Sequence, residues 1–244
     1  MTHRSHTVEI FTDVAPKYEF LNSLLTAGRD RKWRLKMLAV CESALGRKPE
    51  TALDLATGTG DVARMMADKW PTAKIVGTDP TTAMLDLAKN RKPGKKLSPA
   101  IAKIEWKEGV AEQISFPDNS VDIVTIAFGF RNVQESHRAK AMDEAFRVLK
   151  PGGIFAILEL GLPNKGKWQT VYKLLLKYGM PRFAAFFGPR NAYDYLAKSI
   201  LDFPSPENVR KVFSRSGFLA FAPRPLTSGM AWLYIGKKPL TEIH

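Results

Sequence analysis

Cysteine is almost absent from this chain: Cys41 stands alone in 244 residues. A single thiol excludes an internal disulfide and fits a reducing cytoplasm, and its place in a helical pattern reads as a small core residue. Long apolar runs are missing too, so no segment is expected to cross a bilayer as a helix. The N-terminal stretch Met1 to Glu9 is polar, with His3 and His6, and lacks the apolar centre of a secretory signal. Acidic residues are scarce, 24 against 37 Lys and Arg, leaving a net charge of +13. Such an excess favours anionic surfaces. Its only dense clusters are Arg29 to Lys36 and Lys89 to Lys96. No zinc-ligand spacing, RNA-binding aromatic signature or basic zipper accompanies them, so nucleic acid is not the expected partner. What is present suits a folded domain: 45% hydrophobic and 25% charged residues, in a chain long enough for one substantial core.

The apolar spacing changes along the chain. From about Phe11 to Leu45 it is helical, with a break near Gly28. Thr51 to Ala56 reads as a strand, followed by a Gly-rich turn and a helix from Asp61 to Lys69. A second strand, Lys74 to Gly77, ends at Thr78-Asp79-Pro80, and Thr81 is placed to cap a helix reaching Asn90. A loop over Arg91 to Ala100 and a third strand over Ile101 to Lys107 follow. Pro117-Asp118-Asn119-Ser120 is a turn. Val121 to Phe128 reads as a strand buried on both faces, as a parallel sheet requires. Arg138 to Leu149 predicts a helix stopped by Lys150-Pro151-Gly152-Gly153, and Ile154 to Leu160 a fifth strand. Alternating strands and helices imply a doubly wound α/β sheet. Lys165 to Leu201 carries aliphatic and aromatic residues at helical spacing, either core packing or a lid over an apolar substrate. A last helix, Pro206 to Ser216, precedes an antiparallel pair, Phe218 to Ala222 and Met230 to Gly236.

The most informative local pattern is Leu53-Asp54-Leu55-Ala56-Thr57-Gly58-Thr59-Gly60-Asp61. A strand that runs through small residues into a helix lets backbone amides approach a ligand closely. Asp79, at the end of the second strand, is positioned to accept both ribose hydroxyls of a nucleoside. The alternative for Asp79 is a helix cap. The turn departs from the dinucleotide fingerprint, because Ala56 replaces its first glycine and Asp61 puts negative charge where a pyrophosphate would lie. A nucleoside with a short zwitterionic tail fits better. That description points to S-adenosylmethionine, with Thr59 and the backbone from Ala56 to Gly60 near its methionine end.

Further blocks carry a family resemblance. They are Phe11-Thr12-Asp13-Val14-Ala15-Pro16-Lys17-Tyr18, Arg31-Lys32-Trp33-Arg34, Phe116-Pro117-Asp118-Asn119-Ser120 and Ala127-Phe128-Gly129-Phe130-Arg131-Asn132-Val133. Arg147-Val148-Leu149-Lys150-Pro151-Gly152-Gly153 and Tyr195-Leu196-Ala197-Lys198-Ser199-Ile200 complete the set. With these the chain resembles, from about Phe11 to Gly236, the quinone C-methyltransferases that make menaquinone and ubiquinone. The resemblance implies a class I S-adenosylmethionine-dependent methyltransferase fold: a Rossmann-like, seven-stranded mixed sheet with its last strand antiparallel. Residues 1–50 would form a helical segment capping the site, and 51–244 the core with a helical lid at about 163–203, in one structural domain. It further implies cofactor contacts from Asp54, Ala56, Gly58, Thr59, Gly60, Asp79, Pro80, Val110, Ala111 and Ala127. At two of these positions the chain departs from the pattern. Val110 stands where the family has Asp or Asn before the alanine, and Ala127 where it commonly has serine.

Carbon methylation needs a ring made nucleophilic by loss of a hydroxyl proton, aligned with an electrophilic methyl group, and no metal. By resemblance, Arg131 and Asn132 lie at the substrate mouth. Arg131 is assigned to the developing oxyanion or to a proton-accepting water, and Asn132 to orienting the ring or cofactor. Tyr18, Tyr193 and Tyr195 are substrate candidates that equally suit packing. His137, at the start of a helix, reads as solvent-exposed, and the role of Glu159 is open. The expected reaction is C-methylation of a prenylated, demethylated quinol, giving menaquinol or the equivalent ubiquinone precursor. The enzyme is expected in the cytoplasm, peripherally attached to the membrane that holds the prenyl tail, and as a possible homodimer or member of a quinone-synthesis complex. Two other readings stay open: the same fold acting on another small aromatic or lipid-like molecule, and a non-catalytic scaffold.

Overall fold

A computed structural model describes residues 26, 28–91, 99–163, 166–179 and 190–240, with backbone alone at 167–168, 175 and 190–194. The first described helix, α1 (Asp30–Leu45), follows Gly28, whose positive φ breaks the helical pattern as expected. Then come β1 (Thr51–Leu55), α2 (Asp61–Lys69), β2 (Lys74–Asp79), α3 (Thr82–Asn90), β3 (Glu105–Glu108), β4 (Val121–Ala127), α4 (Glu135–Val148) and β5 (Leu149–Leu160). The remainder is α5 (Lys167–Leu174), a π-helical turn (Leu175–Gly179), α6 (Arg190–Leu201), α7 (Pro206–Arg215), β6 (Leu219–Ala220), β7 (Arg224–Leu226) and β8 (Ala231–Lys237).

The strands join in the order β3-β2-β1-β4-β5-β8-β6, with β7 also paired to β8. β1 to β5 are parallel and β8 runs antiparallel to β5. β6 meets the end of β8 and β7 its beginning, so the two short strands share one position in the sheet. The seven expected positions are therefore all filled, the edge one by two pieces flanking Pro223. β1 and β4 are buried almost throughout because helices cover both faces of the sheet. On one face Trp33, Met37 and Cys41 of α1 and Ala63 and Met66 of α2 pack on Ile75, Ile154 and Leu158. On the other, Ala141, Met142 and Ala145 of α4 and Phe213 of α7 pack on Leu53, Val124 and Phe155. Burial raises the Cys41 thiol to about 12, so it serves as a small apolar residue.

Three boundaries move from where the sequence places them. Pro99–Lys103 is a 3-10 helix and the third strand starts only at Glu105, because Ile101 turns inward to the core. α4 begins at Glu135. β5 includes Leu149 to Gly153, which the Pro-Gly-Gly pattern had set aside as a stop. A register shift opposite Val121 and a positive φ at Gly152 let the strand absorb them. The winding of the sheet reverses between β1 and β4. A crevice at the carboxyl ends of those strands is the place for a ligand in this architecture.

Candidate functional site

A cleft of about 260 Å³ opens at that place. Its first wall is the turn after β1. Ala56 and Gly58 both have positive φ, and Thr57 N–H donates to Thr78 O at 2.9 Å, which closes the turn against β2. The turn rests on Asp54, which is 1% exposed. One Asp54 oxygen accepts from the Thr57 hydroxyl at 2.6 Å and the other from the Thr125 hydroxyl at 2.7 Å. Burial raises this carboxyl to about 6, against the opposing pull of the two hydroxyls and of Arg34.

Asp79 ends β2 at the rim of the cleft. Its Oδ2 accepts from Gly58 N–H at 2.8 Å and its Oδ1 from Thr81 N–H at 2.9 Å. The carboxylate thus ties the turn to the start of α3, and it retains acceptor capacity toward the cleft. Burial pushes Asp79 up from the usual carboxylate range, while the two N–H groups and the Thr81 hydroxyl pull it down. The capping and ribose roles first set against each other are compatible. Thr81 itself makes no side-chain cap bond.

Glycine is required where two turns nearly touch. A Cβ on Gly129 would lie 2.6 Å from the Ala56 Cβ, closing the floor of the cleft between β1 and β4. Gly60 has a different reason: a Cβ there would sit 2.4 Å from the Trp106 ring.

The far end is the 3-10 turn Phe130–Asn132. Arg131 turns away from the cleft. Its Nη1 pairs with Glu159 Oε1 at 2.6 Å and donates to Phe128 O at 2.5 Å, and its own N–H donates to Glu159 Oε2 at 3.0 Å. Glu159 also accepts from Leu160 N–H at 2.9 Å. The two side chains are 2% and 0% exposed. Asn132 faces the cleft, and Tyr195 of α6 donates its hydroxyl to Asn132 Oδ1 at 3.2 Å.

Seven expected residues line the cleft: Ala56, Gly58, Asp79, Pro80, Val110, Ala111 and Asn132. Asp54, Thr59, Gly60, Ala127 and Arg131 do not. Asp54 and Arg131 support the turns from beneath, and Gly60 accommodates Trp106. Tyr195 reaches the site through Asn132, whereas Tyr18 and the Tyr193 side chain lie outside the described residues. Sequence reasoning missed Met84, Gly109, Gln113 and Phe128, and set aside His137. Met84 lies in the first turn after Asp79 and Gly109 directly follows β3, two positional signals that were available. The half-exposed His137 lies at the rim with Nδ1 3.8 Å from Glu112, and Lys140 lines the cleft one turn further along α4.

This arrangement suits a nucleoside with a short tail. Asp79 offers acceptors for two hydroxyls, Met84, Val110 and Ala111 offer apolar walls for a base, and the Ala56-Gly58 backbone admits close approach. The profile of the ubiE/COQ5 methyltransferase family matches residues 1–238. A demethylmenaquinone methyltransferase of Deinococcus radiodurans is 40% identical over 94% of this chain and 91% of its own length. The ubiquinone/menaquinone biosynthesis C-methyltransferase UbiE of Geobacter sulfurreducens is 39% identical over 95% of this chain and 88% of its own. Among solved structures, an S-adenosylmethionine-dependent methyltransferase of Thermotoga maritima, a possible histamine N-methyltransferase, superposes with a TM-score of 0.62. It covers 96% of this chain and 100% of its own at 18% identity, which speaks to the fold alone.

Proposed function

The chain belongs to the ubiE/COQ5 methyltransferase family and is an S-adenosylmethionine-dependent methyltransferase, and from that premise we propose that it methylates a ring carbon of a prenylated, demethylated quinol. Demethylmenaquinol giving menaquinol, or the equivalent ubiquinone precursor, is the acceptor the relatives' names suggest. The observation that carries the reading is the layout of the cleft. A hydroxyl-accepting carboxylate, Asp79, stands at one end and an oriented amide, Asn132, at the other, with the Ala56-Gly129 floor between them.

The cofactor supplies an electrophilic methyl group when bound; the protein supplies position. Asp79 is held ready by two backbone N–H groups, so little reorganisation accompanies ligand binding. Tyr195 fixes the Asn132 carbonyl, which leaves the amide N–H pair free to orient an acceptor oxygen. Arg131 has its charge balanced by Glu159, so we assign it to holding the turn that presents Asn132 rather than to direct contact with an oxyanion. His137 at the rim carries a ring nitrogen able to accept a proton. The apolar tail of such an acceptor resides in a bilayer, so peripheral membrane contact belongs to the same reading and accords with the net charge of +13.

Turnover with demethylmenaquinol, simple phenols and sterols is the direct test. Methylation of the quinol in clear preference to the others supports the proposal. Equal or better turnover on a simple phenol, or no turnover on any quinol despite cofactor binding, overturns it. Quinone profiling of a deletion strain should show loss of the methylated quinone.

A further inference from the structure

α5 and the π-helical turn after it are apolar on two sides. The inward side is ordinary: Leu176 is 2% exposed in the core and Tyr172 packs against the same cluster. The outward side is not. Val171, Leu174 and Tyr178, on successive turns, are 53%, 52% and 50% exposed. A surface helix normally turns a polar face to water, and a contiguous exposed apolar stripe marks an interaction surface. The other large apolar side chains exposed among the described residues, such as Leu35 and Leu87, occur one or two to an element.

Charge indicates what the stripe meets. Between Glu159 and Asp194 the chain has no acidic residue, while Lys165, Lys167, Lys173, Lys177, Arg182 and Arg190 are basic. Lys173 and Lys177 flank the stripe and are exposed, and the Lys177 ammonium lies 5.4 Å from the centre of the Tyr178 ring. Aliphatic anchors, a tyrosine with a polar tip and lysines on long stems match the layering of a headgroup region over anionic lipid. No described helix is long and apolar enough to cross a membrane, so the contact would lie in the interface plane. The place is apt as well. α5 follows β5, whose end carries Glu159, and leads to α6, whose Tyr195 reaches Asn132. In chain order the stripe thus lies between the strand that carries Glu159 and the helix that reaches Asn132.

We propose that the outward face of α5 and its π turn, through Val171, Leu174 and Tyr178 with Lys173 and Lys177, docks on an anionic phospholipid surface. The inference rests on the prenylated-acceptor reading and adds the face that makes the contact.

The test is co-sedimentation of the full-length protein with phosphatidylcholine vesicles, with and without phosphatidylglycerol. Wild type should bind the anionic vesicles and release with salt. Val171→Ser/Leu174→Ser/Tyr178→Ser should weaken binding by about tenfold or more, and Lys173→Gln/Lys177→Gln should lose most of the preference for anionic lipid. Unfolding temperature and turnover on a tail-less quinol should stay at wild-type levels in both. If the triple variant does not fold, the exposed lysine pair carries the test. Binding unchanged in the folded variants, or a wild-type dimer that the triple variant dissociates, overturns the proposed face and leaves the chemistry standing. No binding to any vesicle alongside turnover on the tail-less quinol overturns membrane docking but not methyl transfer, and no turnover on any quinol refutes the acceptor reading itself.

Discussion

Asp54 and Glu159 are both fully buried carboxyl groups near the carboxyl ends of β1 and β5, the parallel strands on either side of β4, and their surroundings are opposite. Asp54, on β1, has two hydroxyls as its hydrogen-bond partners and feels Arg34 only from a distance, so burial lifts it to about 6. Glu159, on β5, has a guanidinium in direct contact and two backbone N–H donors. Each supports one turn of the cleft: Asp54 through Thr57 the turn that meets Asp79, Glu159 through Arg131 the turn that presents Asn132. A buried charge must be lost by protonation or matched by a countercharge. Asp54 has only neutral hydroxyl donors in contact and so protonates more readily than an exposed carboxyl, whereas Glu159 is matched by a countercharge. One end therefore responds to pH and the other to the loss of a partner.

The largest expected effect is on the ion pair. Glu159→Ala strands the Arg131 guanidinium in the interior and should cost about 3–5 kcal/mol, lowering Tm by roughly 6–20 °C in calorimetry. Arg131→Leu/Glu159→Leu should cost less than either single change. Costs that simply add would break the comparison, since the two groups would then not act as a unit.

Asp54 should reveal itself through pH. Its folded value, about 6, exceeds its ordinary 3.8, so the folded state binds more protons between those limits. Stability therefore falls as pH rises through that window, by about 2–3 kcal/mol from this group, and levels off above it. Asp54→Asn removes the dependence. Denaturant midpoints of both proteins from pH 3.5 to 7.5, compared pairwise, check the sign (the window follows from linkage at these two values). A constant difference would mean that Asp54 ionises in the fold as it does in the unfolded chain.

Asp79→Ala should weaken S-adenosylmethionine binding by about 1–3 kcal/mol in titration calorimetry, since charge-assisted bonds to hydroxyls are lost. Unchanged affinity would reduce the residue to a tie between Gly58 and Thr81. The smallest effect is expected from Val110→Asn. A polar side chain restored at the cleft wall should tighten cofactor binding by about 0.5–1.5 kcal/mol, with kcat little altered.

Much of this protein was legible before folding. The mostly apolar run Val121 to Phe128, the Ala56-to-Gly60 turn and Asp79 at a strand end are local patterns, and local patterns follow from backbone sterics and side-chain period. That made the parallel sheet, its antiparallel close and one wall of the cleft readable. The acceptor end was less so. Family resemblance places Arg131 at the substrate mouth, yet it turns inward to Glu159, 28 positions away. In the 3-10 turn beyond β4, neighbouring residues face opposite ways, Asn132 to the cleft and Arg131 to the core, and the partner that holds Arg131 lies on another strand. The same holds for Val171 and Leu174, whose exposure depends on what Tyr172 and Leu176 bury on the opposite side. The sequence by itself determined which segments fold, in what order, and the turn and carboxylate that wall the cleft. Only the tertiary structure decided which charges meet and which apolar faces stay outside, because those outcomes depend on contacts between residues far apart in the chain.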